Sequence, residues 1–121
     1  MTETTPISVV FFGTPAYAVP TLEALASDSR FRVGLVVTQP DRPAGRGREL
    51  HSPPVKLTAE HLGLEVYQPG SLRDEVARAP LKAVQADVFV VAAYGLIFGR
   101  KTLSLPRYGC LNLHASMLPA Y

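Results

Sequence analysis

Cysteine is almost absent from these 121 residues: Cys110 stands alone. No internal disulfide can form, and a reducing compartment is the natural expectation. Long hydrophobic runs are missing as well. The opening stretch MTETTPISVVFFG has no basic region, and its apolar run is too short for a signal peptide or a membrane span. A cytoplasmic protein with no membrane partner is therefore expected. Charge of one sign is scarce too: 12 basic against 10 acidic residues leave a net +2, which neither demands nor forbids a nucleic-acid partner. There are no repeats, no phosphate-loop lysine motif and no His/Cys/carboxylate cluster at metal-ligand spacing, so no metal is expected. What the chain does have is apolar residues, at 47%. That is ample for a core, excludes a disordered chain, and suits one domain at most.

The apolar runs are short, near-continuous and stopped by glycine or a polar turn, as in buried parallel strands. They predict strands at Ile7 to Phe12, Val33 to Thr38, Val66-Tyr67, Val88 to Ala92 and Cys110 to Leu113. Between them lie helical patterns. Gly13-Thr14-Pro15 turns the chain, with Thr14 as a possible cap and Pro15 suited to a first helical position. Pro20 then implies a bent or restarted helix ending near Ser27. Lys56 to Leu62 reads as a helix closed by Gly63, Leu72 to Val84 as an amphipathic helix interrupted or weakened at Pro80, and Arg100 to Leu105 as a short one. Gln39 to Pro54, with four prolines, reads as a long irregular stretch.

Strand and helix alternate throughout, so the expected fold is α/β: a doubly wound, Rossmann-like parallel sheet with right-handed crossovers. A strand order of 3-2-1-4-5 would place the switch point between the first and fourth strands. The loops after Phe12 and Ala92 would then face each other, with Asn112 and His114 alongside. Tyr121 follows the fifth strand with no later helix to cover that side of the sheet, so the chain reads as the N-terminal part of something larger.

Asn112-Leu113-His114 is the most informative motif. Alternation along a strand points residues 112 and 114 the same way, setting an amide donor beside a titratable imidazole. Such a pair can hold an oxyanion and manage a proton during acyl transfer to an amine. A core histidine with satisfied nitrogens is the plain alternative for His114. His51 and His61 fit surface positions, Cys110 a small apolar filler, and neither Asp41 nor Asp87 is an obvious partner for His114.

Two loops add to this. Gln39 to Arg48 carries three arginines among prolines and glycines; guanidinium forks suit phosphates, and glycine lets backbone approach a partner closely. A solvated surface loop is the alternative, though structureless loops of such length are uncommon in small domains. Ala93-Tyr94-Gly95-Leu96-Ile97-Phe98 is apolar beyond a strand end, where a flat heterocycle could slot or ordinary core packing could occur. Gly45-Arg46-Gly47 half-resembles a dinucleotide fingerprint but lacks the third small residue and the strand-to-helix context.

Taken together, Phe12-Gly13-Thr14-Pro15, Thr38 to Gly47, Ala93 to Ile97 and Asn112 to Pro119 resemble the methionyl-tRNA formyltransferase family. The likeness runs from about Val9 to Tyr121, with the Asn-x-His segment shared by formyltetrahydrofolate-using transferases in general. The resemblance implies formyl transfer from 10-formyltetrahydrofolate to the α-amine of methionine on initiator tRNA. It implies that Asn112 and His114 are catalytic and that Tyr94, Gly95, Leu96, Ile97, Ser116, Met117, Leu118 and Pro119 line the folate pocket. Arg42, Gly45, Arg46 and Gly47 would meet the tRNA.

Departures from the family pattern matter. Ala120 stands where an Arg is frequent, and the family's Arg-Gly-rich turn, later catalytic Asp and C-terminal tRNA-binding domain are absent from these 121 residues. The chain alone is expected to be inactive, and the full-length protein a monomer. The rival readings are a related formyltransferase with a small amine acceptor and a non-catalytic folate- or tRNA-binding module.

Overall fold

The computed structural model describes residues 4–44, 47, 49–96 and 98–113. Five parallel strands form the central sheet: β1 (Ile7–Gly13), β2 (Phe31–Val37), β5 (Val66–Tyr67), β6 (Val88–Ala92) and β7 (Cys110–Asn112). Their order in space is β5-β2-β1-β6-β7. This is the 3-2-1-4-5 arrangement expected from the sequence, with the order reversing between β1 and β6.

Strict alternation in β1 splits the core into two layers. Val9 and Phe11 face one side, where Ala18, Leu22, Val55 and Ala59 cover them. Val10 and Phe12 face the other, against Leu72, Leu81, Phe89 and Tyr94. The first layer is closed by α1 (Val19–Ser27) and α2 (Pro54–His61), while the second lies under α3 (Glu75–Val84). A four-residue helix, α4 (Arg100–Leu103), leads into β7.

The local chemistry explains the boundaries. A 3₁₀ turn at Ala16–Ala18 precedes α1, so the helix does restart, and Pro20 falls in its first turn where a backbone N–H needs no helical partner. Thr14 does not cap that turn: its hydroxyl goes elsewhere, as described below. Nor is Pro15 a first helical residue; it precedes the 3₁₀ turn in extended conformation. Helix α3 begins at Glu75 rather than at Leu72, because the Asp74 carboxylate accepts the Ala77 N–H at 2.7 Å. Pro80 lies inside α3 without interrupting it. The lost hydrogen bond is outweighed by the cap and by burial of Leu81, which is 1% exposed.

One expectation fails outright. The stretch from Gln39 to Pro54 is not irregular throughout: Arg42–Ala44 (β3) and Glu49–His51 (β4) pair antiparallel, with Arg42 opposite His51 and Ala44 opposite Glu49. Two three-residue strands rich in charge and proline leave no apolar alternation to detect.

Leu111 on β7 is 56% exposed, although its neighbour Cys110 packs against the second core layer. Burial raises the Cys110 thiol pKa, consistent with an inert filler.

Phe12 is fully buried, and its ring centroid lies 5.0 Å from Phe89, 5.4 Å from Tyr94 and 4.7 Å from Phe98. Phe12→Ala is expected to destabilise the protein by about 3–5 kcal/mol in denaturant unfolding. A loss below about 1 kcal/mol would show that these rings do not share one packed core.

Candidate functional site

The C-terminal ends of the strands converge on one edge of the sheet, and a hydrogen-bond network holds their loops together. Gly13 ends β1 where a Cβ would come within 2.8 Å of the Phe11 ring, 3.0 Å of the Ala92 carbonyl and 3.1 Å of Ala18. Only a bare backbone lets β1 and β6 finish so close together. Directly after it, the Thr14 N–H donates to the Ala93 carbonyl at 3.1 Å and the Thr14 hydroxyl to the Tyr94 carbonyl at 2.8 Å. The loops after β1 and β6 therefore face each other, as the topology requires.

Ala93 has a φ of 61°, in the left-handed region that a residue with a Cβ seldom adopts. That turn directs the next carbonyl back toward Thr14. Tyr94 itself is 1% exposed, and its ring belongs to the aromatic core with Phe12 and Phe98. Burial, and secondarily the nearby Tyr67, push its phenol up to about 12. What Tyr94 offers the site edge is its backbone.

The root of the β3–β4 hairpin joins the same network. Gln39 donates from Nε2 to the Tyr94 carbonyl at 3.0 Å and accepts from the Arg42 guanidinium through Oε1. Asp41 anchors the hairpin from the other side. Its carboxylate accepts from Gln68 Nε2 at 2.6 Å and Ser52 Oγ at 3.3 Å, and pairs with Lys56 Nζ at 3.1 Å. Hydrogen bonding from Gln68, then from Lys56, holds the Asp41 carboxyl below its ordinary range. The proline- and arginine-rich segment is thus fixed at its base.

Beside Gly95 and Leu96 opens a cavity of about 650 Å³, whose far walls are residues 70–73 and 99–102. Its size suits a small organic ligand, with backbone from the 94–96 loop and cations from Arg73, Arg100 and Lys101 at hand. Sequence reading did not reach the 70–73 and 99–102 walls, which lie far from the apolar loop in the chain.

Of the residues singled out from the sequence, Asn112 ends β7 opposite Val91, exposed at this sheet edge. The next backbone N–H, of Leu113, extends the pairing by donating to the Val91 carbonyl at 2.7 Å. Arg42 and Gly47 are exposed on the hairpin, Gly47 with a φ of 89°. Gly45, Arg46, Ile97, His114, Ser116, Met117, Leu118 and Pro119 lie outside the described residues. Among the described residues no group of three or more His, Cys, Asp or Glu could hold a metal ion. Asp87 serves the opposite end of the sheet, where its carboxylate accepts the Ser8 N–H at 2.8 Å.

Comparison with known proteins decides the family. The formyl transferase family model matches residues 7–121. The chain belongs to the formyl transferase family. It is 53% identical over 118 residues to a methionyl-tRNA formyltransferase of Hydrogenovibrio crunogenus, covering 98% of this chain and 38% of that protein. It is 56% identical over 116 residues to the methionyl-tRNA formyltransferase of Aromatoleum aromaticum, covering 96% of this chain and 36% of the relative. The chain thus spans little more than a third of the length of these curated relatives.

Solved structures show the same fold. Glycinamide ribonucleotide transformylase 1 of Symbiobacterium toebii superposes with a TM-score of 0.66 at 18% identity, over 98% of this chain and 56% of that one. Phosphoribosylglycinamide formyltransferase of Anaplasma phagocytophilum gives 0.66 at 20% identity, over 95% and 53%. In this formyl transferase chain the sheet edge carrying Asn112 is also the edge on which the arginine hairpin is rooted.

The hydrogen bonds to Asp41 carry a pH signature. Its pKa is lowered from 3.8, so the stabilisation is complete above that ordinary value and is lost as pH falls through the lowered folded value. In Asp41→Ala, amide exchange across residues 42–51 should accelerate severalfold while the β1 and β6 amides keep their protection. Unchanged exchange in the hairpin would show that Asp41 does not anchor it.

Proposed function

We propose that this chain is the N-terminal part of the catalytic domain of a cytoplasmic, monomeric formyl transferase that moves a formyl group from 10-formyltetrahydrofolate to the amine of methionyl-initiator tRNA, in translation initiation. The observation that carries this reading is the identity of 53–56% to methionyl-tRNA formyltransferases, which runs through the arginine hairpin as well as the Asn112 strand. A small-amine acceptor would leave that hairpin without work. No described helix is long and apolar enough to cross a membrane.

The chemistry follows from the residue types. The amine nitrogen attacks the formyl carbon, and negative charge develops on the formyl oxygen. Collapse of that tetrahedral intermediate breaks the carbon–nitrogen bond to the folate, whose nitrogen leaves with the proton that the amine gives up. The Asn112 amide donates to that oxygen from the end of β7, where strand pairing fixes its backbone. His114 assists and manages a proton, as an imidazole of reference pKa ~6.5 can near neutral pH. The folate would lie against Tyr94, Gly95, Leu96 and Ile97, in reach of the cavity beside Gly95 and Leu96. Ser116, Met117, Leu118 and Pro119 are assigned to the same pocket from the family resemblance. Arg42 and Arg46, flanked by Gly45 and Gly47, would meet tRNA phosphates.

Two substitutions in the full-length protein separate these roles. Asn112→Ala should lower kcat by about 10²–10³-fold with little change in either KM. Arg46→Ala should raise the KM for tRNA and flatten its salt dependence while leaving folate affinity alone. Equal loss of folate and tRNA use in Arg46→Ala would sink the assignment of that loop.

A further inference from the structure

Gln39 has no role in the chemistry above, yet it touches both substrate loops. Its side-chain amide is one rigid plane with two ends. Nε2 donates to the Tyr94 carbonyl at 3.0 Å, and Oε1 accepts from Arg42 Nη2. Its backbone is held as well: the N–H points to the Thr14 hydroxyl at 3.4 Å, and the carbonyl accepts from Gln68 Nε2 at 3.1 Å. Gly95 adds an independent observation. Its φ is 98°, and a Cβ there would collide with Gln39 Nε2. The Gly95 backbone therefore lies directly against the end of this one side chain.

Resting on the reading above, in which the 94–97 loop meets folate and the hairpin meets tRNA, we infer that Gln39 is a positioning residue that makes the binding of donor and acceptor mutually favourable. Arg42 has five N–H donors and gives Gln39 only Nη2. A tRNA phosphate can take the remaining fork without breaking that bond, and in doing so it orders the guanidinium. The ordered guanidinium fixes the Gln39 amide, which fixes the Tyr94 carbonyl and the loop behind it. Whichever substrate arrives first orders the shared side chains, and the second meets a site already ordered. Linkage makes the gain equal in both directions. Asp41, held by Gln68 and Lys56, keeps the hairpin base still, so the effect passes through side chains rather than through movement of the whole hairpin.

The test is the dissociation constant of tetrahydrofolate, which carries no formyl group to transfer. It is measured calorimetrically on the full-length protein, alone and with saturating methionyl-initiator tRNA. The wild type should bind tetrahydrofolate about fivefold more tightly with tRNA present, the scale of one well-made hydrogen bond. Gln39→Ala should bring that ratio close to one. Gln39→Glu keeps an acceptor for Arg42 but removes the donor to the Tyr94 carbonyl, so it should abolish the ratio too. If Gln39→Ala fails to fold, Gln39→Glu and Arg42→Ala interrupt the same path at its two ends. A wild-type ratio of one, or a ratio unchanged in a folded Gln39 variant, overturns the inference. A wild type that binds no tRNA contradicts the proposed function instead, and the two failures are told apart in the same titration.

Discussion

The carbonyl of Tyr94 accepts two hydrogen bonds, from the Thr14 hydroxyl at 2.8 Å and the Gln39 amide at 3.0 Å, and the site edge is organised around it. A carbonyl at the end of a strand has lost its ladder partner and must find donors if it is not to face a desolvation penalty. Here the donors come from the ends of two other strands, separated from Tyr94 by 80 and 55 residues. Satisfying one backbone group thus ties β1, β2 and β6 together at their C-terminal ends. Asn112 stands on the next strand over, and the arginine hairpin springs from the same root.

The aromatic layer beneath restrains the loop that carries this carbonyl. Tyr94 cannot swing its loop outward without pulling a fully packed ring away from Phe12 and Phe98. Its hydroxyl and that of Thr38 are both buried with no hydrogen-bond partner among the described residues. In a small domain each such group is a cost that packing must offset. The left-handed Ala93 adds strain at the same turn. Such features gather where a backbone is held for a purpose rather than for stability.

The parallel sheet was legible because its signals are local and strong: β-branched runs such as Val88 to Ala92, stopped by turn residues. With the doubly wound rule these gave even the spatial order of the strands. The hairpin was not legible, since Arg42-Pro43-Ala44 and Glu49-Leu50-His51 have neither length nor alternation. Asn112 was placed correctly at a strand end by pattern alone. Tyr94 shows the limit of that approach: an apolar loop beyond a strand could be cleft lining or core. The structure divides it, ring to core and backbone to the site edge. Thr14, Gln39, Asp41, Lys56 and Gln68 drew little or no functional notice, because contacts between residues so distant in the chain leave no periodicity behind.

The fold is shared with formyl transferases of other names, so acceptor choice is the property that separates the proposed function from its rival. The direct measurement is formyl transfer from 10-formyltetrahydrofolate by the full-length protein, with methionyl-initiator tRNA and small amines, including an amino sugar nucleotide, as competing acceptors. Transfer to the charged tRNA is expected, and none above background to the small amines. Efficient formylation of a small amine, with the tRNA left untouched, would contradict it.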